Sequence, residues 1–345
     1  MISSDRRLRA PLIHLLIGIM LMVPFAAPFA TPSSLPAPIE AALVAAPAHA
    51  QSPTIYYVDI TRPDDSGNGL SWATAKRNLQ SALALAGSGA QIWVADGIYY
   101  PDEGTGQTDD DRTSTFSLKD GVKIYGGFAG GETSLSQRNP ATNVAILSGD
   151  LQQNDSQQPI ITNIATVTGI GDNAYHVVSS NGNPTTTLLD GFTITAGNAN
   201  GSVFPSNVGG GVYTFSTSQA QFTNLTITGN TAKFGGGVFT YQSNATFTDV
   251  TISNNTASTD KGGGVYNFSS NATFTNVTIT GNTAPSTAEG SGGGVYNRSL
   301  SPSFTNVTIS NNTVGKDGGG IFNYQNSTPQ FSNVTVSHNP LSLPV

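Results

Sequence analysis

Gly209-Gly210-Gly211-Val212-Tyr213 is the stretch that decides the fold, because it returns four times. The last glycines of the five copies are Gly211, Gly237, Gly264, Gly294 and Gly320, so the spacings are 26, 27, 30 and 26 residues. Each triplet leads to a second phrase, first written Phe222-Thr223-Asn224-Leu225-Thr226-Ile227-Thr228-Gly229-Asn230. Its copies begin at Phe247, Phe274, Phe304 and Phe331. A period in this range marks a solenoid, in which each repeat buries its apolar side only against its neighbours.

The second phrase also fits a leucine-rich repeat, but that reading needs a helix or comparable segment elsewhere in each repeat. The remainder, residues 231–245, holds glycine, β-branched and aromatic residues without helical periodicity. Such residues favour strands and tight turns. The expected fold is therefore all-β, a parallel β-helix solenoid.

Outside the repeats, Ile55 to Ile60 reads as a first strand. Leu79, Ala82, Leu83 and Leu85 fall near helical spacing, which predicts a helix over about residues 73–86 with Ser71 as N-cap and Gly87 as stop. A β-helix has an open end, so this helix is expected to cap the N-terminal coil. Residues 91–95, 116–118, 122–125, 144–147 and 175–178 read as short strands of irregular early coils, with long loops at 101–115 and 150–173. Regular repeats start near residue 188 and run to 339, so residues 51–345 are expected to form one domain, with 51–187 as its capped, irregular part.

Residues 1–50 read differently. Arg6, Arg7 and Arg9 precede an apolar run from Leu12 to Ala27, and Ala48-His49-Ala50 offers a cleavage site before Gln51. This is the plan of a secretory signal, so the protein is expected to be secreted or at the cell surface, with cleavage after Ala50. The distance from the apolar run to Ala50 leaves an uncleaved N-terminal membrane anchor with a Pro/Ala linker as the alternative. No later stretch is long and apolar enough to span a bilayer, so the mature body is expected to be soluble. The formal charge is −7, and no cysteine is present. An acidic chain lacks the basic stripe that nucleic acid requires, and stability must come from the stacked core rather than disulfides. After Asn339 the chain ends in Pro340-Leu341-Ser342-Leu343-Pro344-Val345, with nothing resembling a cap, a membrane barrel or a sorting anchor. We read it as a fragment; pairing with another chain and an edge blunted by prolines are the alternatives.

Trp93-Val94-Ala95-Asp96-Gly97-Ile98-Tyr99-Tyr100-Pro101, Gly121 to Glu132, and Leu147-Ser148-Gly149-Asp150 resemble the N-terminal region of bacterial exported right-handed β-helix repeat proteins of the pectin-lyase-like superfamily. The later Gly-Gly-Gly-Val-Tyr-Asn copies are similar to polymorphic outer-membrane-protein-type repeats. The resemblance covers nearly all of residues 54–339 and implies the right-handed form of the solenoid. The same fold carries lyases, hydrolases and adhesins, so it implies no single activity.

Stacked coils bring equivalent residues about 4.8 Å apart, so columns are the natural unit. Asn224, Asp249, Asn276, Asn306 and Asn333 form one polar column; Asn230, Asn255, Asn282, Asn312 and Asn339 form another. Asparagine tolerates left-handed backbone and stacked amides bond one another, which predicts structural turn ladders. Phe222, Phe247, Phe274, Phe304 and Phe331 suit the core, as do Ile227, Ile252, Ile279, Ile309 and Val336. The threonines flanking Ile227 point outward by alternation.

After the glycines come Val212, Val238, Val265, Val295 and Ile321. The next column is Tyr213, Phe239, Tyr266, Tyr296 and Phe322; two residues further lie Phe215, Tyr241, Phe268, Arg298 and Tyr324. In a continuous strand these ten share the face opposite the valines. With the valines inward, an exposed surface of nine aromatics and one arginine results, which suggests binding to the faces of sugars. The competing expectation places Thr214, Thr240 or Asn267 in a turn and lets some rings enter the core.

Signs of catalysis are sparse. His176 and His338 have no neighbours that suggest a charge relay. Asp64, Ser66, Asn68 and Gly69 match the opening of a calcium loop, but Ala75 replaces the bidentate glutamate. Asp109-Asp110-Asp111-Arg112 is a second acidic run. No cofactor or metal is expected, with calcium near Asp64 or Asp109 as the exception that these carboxylates allow. Asp260-Lys261, Glu289 and Lys316-Asp317 precede triplets, with Lys233 in an earlier coil, and are expected to line one flank as surface charge pairs. The favoured reading is a non-catalytic exported or cell-surface protein, adhesin-like or binding a glycan or another macromolecule. A polysaccharide lyase or glycoside hydrolase is the alternative, which two carboxylates about 5–10 Å apart in a groove would favour.

Overall fold

The computed structural model describes residues 52–286 and 291–341, within the compact unit Gln51–Val345. The proposed signal or anchor at 1–50 and the Glu289 position lie outside the described residues, as does the Asp260 side chain. No helix among the described residues is long and apolar enough to cross a membrane.

Every strand pairing among the described residues is parallel and links one coil to the next, the strand order of a parallel β-helix. One sheet of seven strands runs from Phe116–Ser117 through Val178–Asn181, Val212–Phe215, Val238–Tyr241, Val265–Phe268 and Val295–Arg298 to Ile321–Tyr324. A second, of five short strands, includes Thr231–Phe234 and Thr256–Lys261. The third has fifteen strands in two parallel rows, which fuse where Ser303–Ser310 and Gln330–Ser337 run uninterrupted. Between the rows sit Asn224, Asp249, Asn276, Asn306 and Asn333, all with φ between 49° and 55°. This left-handed conformation bends each coil, and a short polar side chain tolerates it best after glycine. Their exposed amides bond from coil to coil, with Asn306 Nδ2 donating to Asn276 Oδ1 at 3.0 Å and Asn333 Nδ2 to Asn306 Oδ1 at 2.9 Å.

The glycine triplet makes the sharpest corner. Its first glycine is left-handed in every copy, from φ 58° at Gly209 to 70° at Gly262. A Cβ on the third would stand 2.7 Å from the carbonyl oxygen of the next coil's glycine at Gly237 and at Gly264. The same Cβ would press on the second polar column, which runs immediately inside. Asn230, Asn255, Asn282 and Asn312 are fully buried. Each Oδ1 from Asn255 onward accepts both the backbone N–H and the Nδ2 of the asparagine one coil earlier, at 2.9–3.0 Å. Each Nδ2 also donates to the carbonyl of an isoleucine, as Asn255 does to Ile227 at 2.9 Å. Buried amides are tolerated only when paired in this way.

The core lies between the sheets. Phe222, Phe247, Phe274 and Phe304 are fully buried and stack with centroids 4.9–5.0 Å apart. The isoleucine column and the triplet valines join the same cluster. At the last described coil Phe331 is 47% exposed.

The N-terminal cap is present but shorter than the sequence predicts. Only Leu79–Leu85 is α-helical, preceded by a 3-10 turn at Trp72–Thr74 that Ser71 caps. The expected helix over 73–86 is corrected because Lys76 is drawn into strand pairing. Its N–H donates to the Tyr57 carbonyl at 2.9 Å, and its own carbonyl accepts from Asp59 N–H at 2.8 Å. Asp65 then accepts the N–H groups of Arg77 and Asn78 at 2.7 and 2.9 Å and the Ser81 hydroxyl at 2.8 Å. A side chain from the preceding loop thus holds the two residues that lead into the helix, whose N-cap Asn78 makes no side-chain capping bond of its own. Leu79, Ala82, Leu83 and Ala86 close the core against Val58 and Ala90.

The two asparagine columns should respond differently to mutation. Asn255→Ala strips the acceptor from two donors on Asn230 and is expected to destabilise the domain by about 2–5 kcal/mol. Asn276→Gly, exposed and left-handed, should cost less than about 1 kcal/mol. Chemical denaturation of the two variants checks the contrast.

Candidate functional site

Strand alternation holds through the seven-stranded sheet. The valines and the residues two further on, Thr214, Thr240, Asn267 and Asn297, point inward and are fully buried. From Thr240 onward these inward polar groups form a third ladder: Thr240 Oγ1 donates to Asn267 Oδ1 at 2.9 Å, Asn267 Nδ2 to Asn297 Oδ1 at 2.8 Å, and Asn297 Nδ2 to Asn323 Oδ1 at 2.9 Å. The rings therefore lie on the opposite face, in a cluster separate from the main core.

That face is not the open sheet of rings that the sequence suggests. Tyr213, Phe239, Tyr266 and Tyr296 are only 2–4% exposed. They are closed off because Val208, Phe234 and the second column pack over them, with Tyr213 and Phe215 stacked at 4.7 Å. The second column stays partly open: Phe215, Tyr241, Phe268 and Arg298 are half-buried and Tyr324 is 45% exposed. No turn intervenes, and no ring of either column enters the main core.

Between the covered row and the open row lies a cleft of about 290 Å³, lined mainly by Phe204, Phe234, Tyr241, Tyr266, Phe268 and Arg298. The guanidinium of Arg298 sits over the Phe268 ring at 4.6 Å and donates through Nε to Gln325 Oε1 at 2.7 Å. This stacking fixes a planar cation at one end of an aromatic wall. Tyr241 and Phe268 follow one another at 5.2 Å. A second hollow of about 360 Å³ shares Phe234, Tyr266 and Arg298 and continues toward Lys261, Lys316 and Asp317. An apolar compartment therefore opens into a polar one along the solenoid.

Phe204 and Phe234 are contributors that sequence reasoning missed; Phe234 comes from the five-stranded sheet, and Phe204 from a loop. It stands 52% exposed on the loop before the first triplet, edge-on to Tyr241 at 5.6 Å. A large apolar residue isolated in the polar stretch 198–208 was the available signal.

The remaining sequence-predicted residues take other places. The Ser66 side chain and then its backbone N–H, which Asp64 Oδ1 accepts, lower the Asp64 pKa, and Asn68 Oδ1 accepts Leu70 N–H and the Thr74 hydroxyl. These oxygens shape a turn. Asp109 and Asp110 lie near Asp102. Asp155 is buried, and desolvation pushes its carboxyl up to about 6; a hydrogen bond from Asn173 opposes this, and the charges of Asp150 and Asp172 add to it. His176 packs on Tyr213 at 5.0 Å, and its Nδ1 shares a hydrogen bond of 3.0 Å with the Gly209 carbonyl. His338 is exposed at the last coil.

Residues 190–342 match the family model described as "Right handed beta helix region". With the parallel, in-register strand order, this gives the chain the fold of a right-handed parallel β-helix. No curated protein matches the sequence. Two solved structures are similar: pectate lyase Pel9A, at TM-score 0.43 and 15% identity over 84% of this chain and 78% of that one, and pectin methylesterase PemA from Erwinia chrysanthemi, at 0.40 and 11% over 84% and 92%. Those activities belong to those proteins.

The half-buried imidazole of His176 gives a pH test of this corner. Desolvation pulls His176 down to about 4, with the carbonyls of Gly209 and Val208 opposing. The unfolded chain takes up that proton near pH 6.5 and the folded chain does not, so stability is full above pH 6.5 and falls toward pH 4. Asp155 has the opposite sign, its contribution being present at low pH and lost as pH rises toward 6. The readout is therefore a difference: His176→Gln should gain stability relative to the wild type as pH drops from 6.5 to 4, measured by denaturation at several pH values.

Proposed function

We propose that this chain is a non-catalytic exported or cell-surface protein that binds glycan along the outer face of the seven-stranded sheet. The observation that carries this reading is the aromatic cleft, whose wall is built by Tyr241, Phe268 and Phe204 and ends in the stacked Arg298. Flat rings suit the apolar faces of sugars, and a fixed guanidinium offers donors to ring hydroxyls. The adjoining polar hollow lets a chain of several sugars continue past Arg298. A concave, mostly apolar site with few polar groups is the usual form of a ligand pocket. The proposed export rests on the arginine-flanked apolar run and Ala48-His49-Ala50.

A polysaccharide lyase or glycoside hydrolase is the second reading, and the raised pKa of Asp155 beside Asp150 is the observation that favours it. A carboxyl whose pKa is raised toward neutrality is what a general acid requires. Neither hollow beside the rings is lined by these aspartates.

A glycan array probed with the full chain, together with a reducing-sugar assay on each bound glycan, separates the two. The expected result is binding that Tyr241→Ala and Phe268→Ala each weaken at least about tenfold, ~1.4 kcal/mol, with no release of reducing ends. Sugar release abolished by Asp155→Asn would replace the first reading with the second.

A further inference from the structure

The loop at 101–115 brings together three carboxylates that the glycan reading leaves unused. One oxygen from each of Asp102, Asp109 and Asp110 lies within 4.8 Å of the other two. Asp109 and Asp110 are exposed, whereas Asp102 is 4% exposed. Hydrogen-bond accounting supplies an independent observation. Asp102 Oδ2 accepts the backbone N–H of Asp110 at 3.0 Å, but Asp102 Oδ1 is buried without any hydrogen-bond partner. A buried carboxylate oxygen in that condition is costly unless a positive charge or a donor meets it. The carboxylates gathered around it, Asp109 and Asp110, carry its own sign of charge.

We propose that Asp102, Asp109 and Asp110 form a calcium site that ties the exposed part of this loop to the body of the coil. The donor set is all oxygen, which suits a hard cation and not zinc or copper. Calcium–oxygen distances of about 2.3–2.6 Å let oxygens on opposite sides of one ion stand up to roughly 5 Å apart, which the cluster satisfies. Calcium also accepts irregular geometry completed by backbone carbonyls and water. Magnesium demands a near-ideal octahedron at about 2.0–2.1 Å, which loop carboxylates of unequal burial supply poorly. Two of the three ligands face solvent, so the affinity expected is that of extracellular modules, with Kd about 10⁻⁴–10⁻³ M.

Calorimetric titration of the full chain with calcium chloride, paired with thermal unfolding in calcium and in chelator, tests the proposal. One calcium ion per chain is expected in that affinity range, with magnesium binding at least about tenfold weaker. Calcium should raise Tm, since an ion that binds only the folded form stabilises it. Asp109→Asn/Asp110→Asn should abolish both effects, and Asp102→Asn should weaken binding at least about tenfold. Asp64→Asn should leave both unchanged. The double variant alters only exposed side chains, so it decides the matter even if Asp102→Asn fails to fold. No binding up to about 10 mM calcium, or binding that survives the double substitution, would overturn the site.

Discussion

The buried amide ladder from Asn230 to Asn339 is the constraint on which the rest of the solenoid depends. Its members at Asn255, Asn282 and Asn312 each present to the preceding coil one oxygen that takes two donors, in the fully buried interior. A shift of register by one residue would leave those groups unpaired in the interior and turn each strand's apolar set outward. Hydrophobic columns alone are less exacting, because an isoleucine packs acceptably against several neighbours. The ladder also explains the third glycine of each triplet. At Gly211, Gly237, Gly264 and Gly294 a Cβ would lie 2.9–3.0 Å from the amide that runs behind it.

Register fixed in this way decides what each face of the seven-stranded sheet displays. Valine, threonine and asparagine go inward, where Thr240, Asn267, Asn297 and Asn323 bond one another, and rings go outward. The outward face then divides. The row nearer the glycine corner is covered by Val208 and Phe234, and the row beyond it remains open beside a cleft. A covered row holds the open one rigid, which favours binding because little side-chain freedom is lost when a ligand arrives.

Much of this was legible in the chain. The repeat of Gly209-Gly210-Gly211 and the phenylalanine column at Phe222 specify a stacked coil, since only stacking buries such short strands. The asparagine columns were legible as ladders, because one residue type recurring in register at a turn has few other uses. The covering of Tyr266 was not. It depends on Phe234, which belongs to another sheet, and alternation along one strand carries no information about a neighbouring one. The length of the capping helix was hidden for a similar reason. Lys76 joins a strand and Asp65 fixes Arg77 and Asn78 ahead of the helix, and both are tertiary contacts that override local propensity. The Asp102 carboxylate was missed because eight residues separate it from Asp110, and only the loop's path brings the two together.

The central claim is that the ring face has one closed row and one open row, set by inward-pointing polar ladders. Hydroxyl-radical footprinting of the full chain, read residue by residue with mass spectrometry, tests it most directly. The account predicts ready labelling of Phe204, Tyr241, Phe268 and Tyr324, with Tyr213, Phe239, Tyr266 and Tyr296 protected until the domain unfolds. Equal labelling of the two rows in the folded protein would contradict it.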